Sequence, residues 1–248
     1  MTTVVTAGQS KNFFLGPSYY PGAPSPDTLD LRVLTGGEAT VSIATNNDPK
    51  ALANLVANGG KITAYVGSHM TATGTVSAMH GGDVAFAENW LTSFNNDGTS
   101  IAASGGSIEV PISVIGKGLF LIEPRGTMTF ASAYTPGNGF SSARVEATQS
   151  VDVRGGTLVI DYLPGFKAPV SLNATGTVVI NNLVADSATY DPAAHLVDFI
   201  GGGKVVETLS VTLTAPGGSL KIAKNAGGFV LTDPAPQVMA AHHHHAWG

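Results

Sequence analysis

The sequence predicts an all-β protein, built as a stacked β-solenoid (β-helix) or as a β-sandwich, with one short helix. Three observations carry this. After Ser107 the chain is a nearly unbroken series of apolar or β-branched runs, punctuated by Gly, Pro and Asn at intervals of about 8–15 residues. The closing section, Ser187 to Asp233, breaks similar runs with Asp-Pro, Gly-Gly-Gly, Pro-Gly-Gly and Ala-Gly-Gly, the mark of consecutive strands joined by tight turns. The phrases IEPRGTMTF, VDVRGGTLVIDYLPG and LNATGTVVINNL recur loosely, each with polar residues, a Gly and then a Thr-led apolar run. A recurrence of roughly 20–30 residues favours stacked coils.

The elements follow in order. Residues 2–8, TTVVTAG, read as a short strand. Residues 10–28 are too proline-rich for a central strand and too aromatic for a free linker, so residues 1–28 read as an arm or cap. Residues 29–45 alternate with period two (Leu29, Leu31, Val33, then Val41, Ile43) about Thr35-Gly36-Gly37-Glu38, which predicts a hairpin. Residues 48–58 predict the helix: Asp48 caps, Pro49 suits the first helical position, Leu52, Leu55 and Val56 share a face, and Asn58-Gly59-Gly60 ends it. Strand resumes over 61–67 and 71–79, and 83–95 fits both periods. Residues 29–106 thus form a β-rich subdomain with one helix, 107–234 the main β-strand domain, and 235–248 a flexible His-containing tail.

Composition narrows the function. Charged residues are 12% of the chain, about half the usual share of roughly 25%, so Thr, Ser, Asn and Gly must cover the surface. That suits a secreted or surface-displayed bacterial protein. The net charge is −5, with 12 scattered Lys and Arg. Nucleic acid is excluded as a partner, since phosphate neutralisation needs clustered cations. There is no Cys, which removes disulfides and thiolate chemistry. No run is long enough for a membrane-spanning helix, and the N-terminus lacks the basic and apolar regions of a cleavable signal.

Thr6-Ala7-Gly8-Gln9, the phrases at 122–130 and 153–160, and ADSATYDPAAHLVDFIGGGKVVETL at 185–209 resemble the β-helical regions of bacterial surface proteins, the autotransporter-passenger-like and adhesin-like proteins of alphaproteobacteria. The resemblance covers mainly the C-terminal half. It implies a β-helical fold, an extracellular or cell-surface location and a structural or adhesive role.

No nucleophile, base and orienter assemble from a known motif, so the expected function is not catalytic. Asp152, Asp161, Glu146, Glu123 and Asp198 are the carboxylates from which a glycan-cleaving pair would come. Asn95 and Asp97 place side-chain oxygens close together and are the candidates for calcium, the one cofactor the sequence suggests. The tail residues His242, His243, His244 and His245 are candidate metal ligands. The isolated His69, His80 and His195 read as turn or surface residues. Phe13, Phe14, Tyr19, Tyr20, Trp90 and Tyr134 are the candidate aromatic contacts for a glycan or partner. GTVVINNLV at 176–184 carries no charge, which nominates Val178, Val179 and Ile180 for self-association through an exposed edge. The expectation is a non-catalytic secreted or cell-surface structural or adhesive protein that self-associates through β surfaces into a fibre, layer or matrix. The alternative is a carbohydrate-binding module or glycan-active β-helix protein whose partner is a cell-surface glycan.

Overall fold

A computed structural model of the chain describes residues 2–15, 28–43, 52–66, 69–72, 75–87, 93–135, 139–142, 144–215 and 217–234. Of the described residues 62% are in strands, well above the usual 20–25%, and the fold is a β-solenoid. One sheet stacks Thr2–Val5, Thr28–Leu34, Leu52–Asn58, Thr75–Met79, Thr99–Ala102, Leu119–Ile122, Ser150–Val153 and Val170–Leu172 in parallel. The second stacks Ser10–Leu15, Glu38–Ile43, Lys61–Val66, Asp83–Ala87, Ser107–Val110, Thr127–Phe130, Thr157–Ile160 and Thr177–Asn181 in the same order. A third, shorter ladder runs His69–Ala72, Ser93–Asn96, Ser113–Ile115 and then single bridges through Val145 to Phe166. Each coil therefore visits the first sheet, the second sheet and, from Leu52 onward, the third ladder.

Period-two patterning creates the core. In the second sheet Ala39, Ile62, Val84, Ile108, Met128, Leu158, Val178 and Leu231 form one inward column, and Val41, Ala64, Phe86, Val110, Phe130, Ile160, Ile180 and Phe229 form another. Phenylalanines cross the interior between walls. Ring centroids lie 4.8 Å apart for Phe86–Phe94, 6.5 Å for Phe94–Phe120, 5.1 Å for Phe120–Phe130 and 5.3 Å for Phe130–Phe166. Burial of each ring stabilises by roughly 1.5–3 kcal/mol, and the edge-to-face pairs add about 0.5–1.5 kcal/mol each.

The corner from the first sheet into the second explains the recurring phrases. From Glu38–Ile43 to Thr177–Asn181 the residue before each second-sheet strand is glycine: Gly37, Gly60, Gly82, Gly106, Gly126, Gly156 and Gly176. At Gly126 an added Cβ would lie 2.1 Å from the Ala102 carbonyl oxygen of the preceding coil. Only glycine lets the coils approach that closely.

The end of the solenoid is antiparallel. Ser187–Asp191, Leu196–Gly201 and Lys204–Leu213 form successive hairpins, and the last strand also pairs in parallel with Val170–Leu172. Lys221–Lys224 and Gly228–Thr232 form a further hairpin, whose second strand runs antiparallel to Thr177–Asn181. These are the turns and strands expected of the closing section.

Several expectations are corrected. Residues 29–45 are not a hairpin: Thr28–Leu34 and Glu38–Ile43 lie in different sheets, and each pairs with the equivalent strand of the next coil. The tight Gly36-Gly37 turn is a corner. The helix over 48–58 is absent where the structure describes it. Leu52–Asn58 is a strand, with Ala53, Leu55 and Ala57 alternating into the core; that period outweighs the helical spacing of Leu52, Leu55 and Val56. Ser10–Leu15 is a strand paired in parallel with Glu38–Ile43, so residues 2–15 are the first coil and not an arm. Both sheets run unbroken past residue 106, and 29–106 shares one core with 107–234.

Candidate interaction face

The outward positions of the second sheet form two straight columns. One reads Ser107, Thr127, Thr157, Thr177, Thr232, and the other Glu109, Thr129, Val159, Val179, Val230. Over the four strands from Thr127–Phe130 to Gly228–Thr232 the eight residues of these two columns are Thr or Val, and each is half-buried; Asn181 and Gly228 continue the outward register beyond them. Alternation fixes their direction, because their neighbours Met128, Leu158, Val178 and Leu231 are wholly buried. The patch carries no charge. It is bounded by Glu109 on one side and by Lys221, beside Thr232, on the other. Strands about 4.8 Å apart and residues about 6.8 Å apart along each strand make it a flat area on the order of 300 Å². Eight β-branched side chains have little rotamer freedom to lose on contact.

This face overlaps the strand nominated for self-association, with a correction. Thr177–Asn181 is an interior strand, paired with Thr157–Ile160 on one side and Gly228–Thr232 on the other. It is no edge. Val178 and Ile180 are fully buried and Val179 alone faces outward. The sheet edge lies elsewhere because the closing hairpins add strands beyond it.

The other candidates separate. Phe13 is half-buried against the core at the N-terminal end of the second sheet. Phe14 lies in Ser10–Leu15, and Tyr134 lies in Ser132–Thr135, one strand of a hairpin inserted within a coil, between Thr127–Phe130 and Val145; the side chains of both fall outside the described residues. Tyr19, Tyr20, Trp90 and His242, His243, His244 and His245 also fall outside them. The sequence reading missed Tyr162, which is 41% exposed. It borders a cleft of about 530 Å³ with Arg144, Glu146, Pro164 and Lys167. No motif marks it; Tyr162 simply follows the second-sheet strand of its coil, where the chain turns toward the third ladder.

Asn95 and Asp97 do come together, at the corner after Ser93–Asn96. Asn95 Nδ2 donates to Asp97 Oδ2 at 3.0 Å, and the Lys117 amide donates to Asp97 Oδ1 at 3.1 Å. Both carboxylate oxygens thus accept from nitrogen, as in a hydrogen-bonded corner. Among the described residues no group of three or more His, Cys, Asp or Glu could hold a metal. Beside this corner runs a buried amide pair that the sequence did not single out. Asn96 Nδ2 donates to Gln149 Oε1 at 3.0 Å, while Gln149 Nε2 donates to the carbonyls of Asn96 at 3.1 Å and Ile115 at 2.8 Å. Both residues are fully buried, and they tie three coils together.

The carboxylates scatter over different walls. Asp152 is on the first sheet, ion-paired to Arg154 at 2.7 Å. Asp161 follows the second-sheet strand Thr157–Ile160 and accepts from Asn181 at 2.8 Å. Glu123 is at a corner, Glu146 follows the third ladder, and Asp198 is in the closing hairpins. His80 and His195 have φ of 53° and 55°, as turn residues do; His69 starts a strand.

No model of a known protein family matches the chain, and no curated protein matches it in sequence. Among the described residues no helix is long and apolar enough to cross a membrane.

Proposed function

We propose that this chain is a non-catalytic structural or adhesive protein of the bacterial cell surface or extracellular space, and that it self-associates through the outer face of its second sheet. The observation that carries the reading is the uncharged, β-branched patch of Thr127, Thr129, Thr157, Val159, Thr177, Val179, Val230 and Thr232. Little repulsion or side-chain entropy opposes stacking of such a face. Its area is well below the roughly 800 Å² per partner of a stable interface, so a single contact is weak and assembly rises with concentration. The charge-poor composition and the resemblance to adhesin-like β-helical proteins support the surface location.

Light scattering over a dilution series tests the reading. The mean mass of the wild type rises with concentration, and Val179→Lys, which charges the patch without touching the core, keeps the monomer mass. A wild type that stays monomeric throughout sinks it. A second reading, glycan binding, is favoured by the cleft beside Tyr162; a glycan array hit that Tyr162→Ala abolishes is its signature.

A further inference from the structure

We propose that both ends of the second sheet are closed against added strands, so that copies of this chain join side by side and not end to end. The side-by-side part rests on the self-association reading above; the closure of the ends does not.

At the N-terminal end, Ser10–Leu15 has one neighbour, Glu38–Ile43, and its other edge is open among the described residues. The register places Lys11 at the head of the inward column that continues through Ala39, Ile62 and Val84. Every later member of that column is apolar. Lys11 is exposed, and among the described residues no coil covers it. A second chain adding its strands there would bring the ammonium into the joined core, and two such ends meeting head to head would bring in two. An unpaired buried charge is strongly opposed, and an inward-pointing charge is a known defence of an edge strand.

Gln9 gives independent support. It occupies the corner position that is glycine in every following coil from Gly37 to Gly176. Those glycines exist because a Cβ would strike the coil before; at Gly106 the Ala78 carbonyl oxygen would be 2.3 Å away. A side chain at position 9 therefore blocks a further coil in the same register.

The C-terminal end repeats the device. Lys221–Lys224 is the last strand of the second sheet. Lys224 pairs with Phe229, which stands opposite Ile180, and so heads the other inward column from that end. Its ammonium donates to the Ala185 carbonyl at 2.7 Å, turning across the open end toward the segment that enters Ser187–Asp191.

The test uses the full chain in a Val179→Lys background, where lateral stacking is suppressed whether or not the wild type shows it. Adding Gln9→Gly and Lys11→Ile removes both N-terminal blocks. The expected result is a doubling of the scattering mass, with particles of doubled length in negative stain, at concentrations where Val179→Lys alone is monomeric. A triple variant that is folded by circular dichroism yet keeps monomer mass overturns the proposal. So does a Val179→Lys protein that already forms end-to-end particles with Lys11 in place.

Discussion

Substituting Gly126 by Ala probes the packing of coil on coil. The new Cβ would lie 2.1 Å from the Ala102 carbonyl oxygen, whereas ordinary contact begins at 3.4 Å, so the two coils must part locally by about 1.3 Å. Two inter-coil hydrogen bonds flank the site: Thr127 N to Gly106 O at 3.0 Å and Glu123 N to Ala102 O at 2.9 Å. Loss of both costs about 1 kcal/mol each, and overpacking adds about 1–3 kcal/mol. The expected destabilisation is about 3–5 kcal/mol, only slightly offset by the stiffer unfolded chain. Against a total stability of about 5–15 kcal/mol this is a large fraction. Because each coil packs mainly on its neighbours, the loss is concentrated at the breach. Urea unfolding followed by far-ultraviolet circular dichroism measures it. Gln9→Ala is the control: among the described residues it has no coil beneath it and forfeits an exposed side-chain bond to the Thr6 amide, so its expected cost is under about 1 kcal/mol. An unchanged midpoint for Gly126→Ala, or equal losses in both variants, refutes the reasoning.

Three further outcomes are expected. Replacing Gln149 by Leu leaves buried groups of Asn96 and the Ile115 carbonyl without their donor or acceptor, and destabilises by about 2–4 kcal/mol in the same assay; a neutral result would mean water replaces the amide. Tyr190 donates to the Val211 carbonyl at 3.2 Å, and burial, then Asp191 and Asp233, raise its phenol above the ordinary 10.0. The folded state therefore holds that proton more tightly, and the contribution is complete below about pH 10 and lost as pH climbs through the raised value. Thermal melts should show a steeper alkaline decline for wild type than for Tyr190→Phe, and equal slopes would contradict this. Millimolar calcium or a chelator should leave the melting temperature unchanged, because both oxygens of Asp97 already accept from nitrogen donors; a rise with calcium would show an ion site there.

What the sequence revealed depended on how local the signal was. The closing hairpins were legible because antiparallel neighbours are consecutive, and Gly202-Gly203 is all the turn between Leu196–Gly201 and Lys204–Leu213. The Gly-Thr recurrence was legible because it marks a corner where each coil meets the one before. Thr28–Leu34 and Glu38–Ile43 misled because a tight glycine turn looks the same whether the chain doubles back or rounds a corner. Their real partners lie a whole coil away, at Leu52–Asn58 and Lys61–Val66. Leu52–Asn58 misled because its residues satisfy two periods, and only the strands on either side choose between them. The interaction face was half legible. Its lack of charge showed in GTVVINNLV, but that Val179 points outward while Val178 and Ile180 point inward follows from register alone. Gln149 and Tyr162 were invisible, since their neighbours come from other coils.

The central claim is that copies meet face to face on the second sheet. The chain has no cysteine, so a single introduced thiol reports contact without background. Val179→Cys, at the middle of the patch, and Asn12→Cys, on the open N-terminal strand, should be oxidised in parallel at a concentration where light scattering shows association. The account predicts rapid disulfide-linked dimers of Val179→Cys and none of Asn12→Cys. Dimers of Asn12→Cys with Val179→Cys remaining monomeric would contradict it.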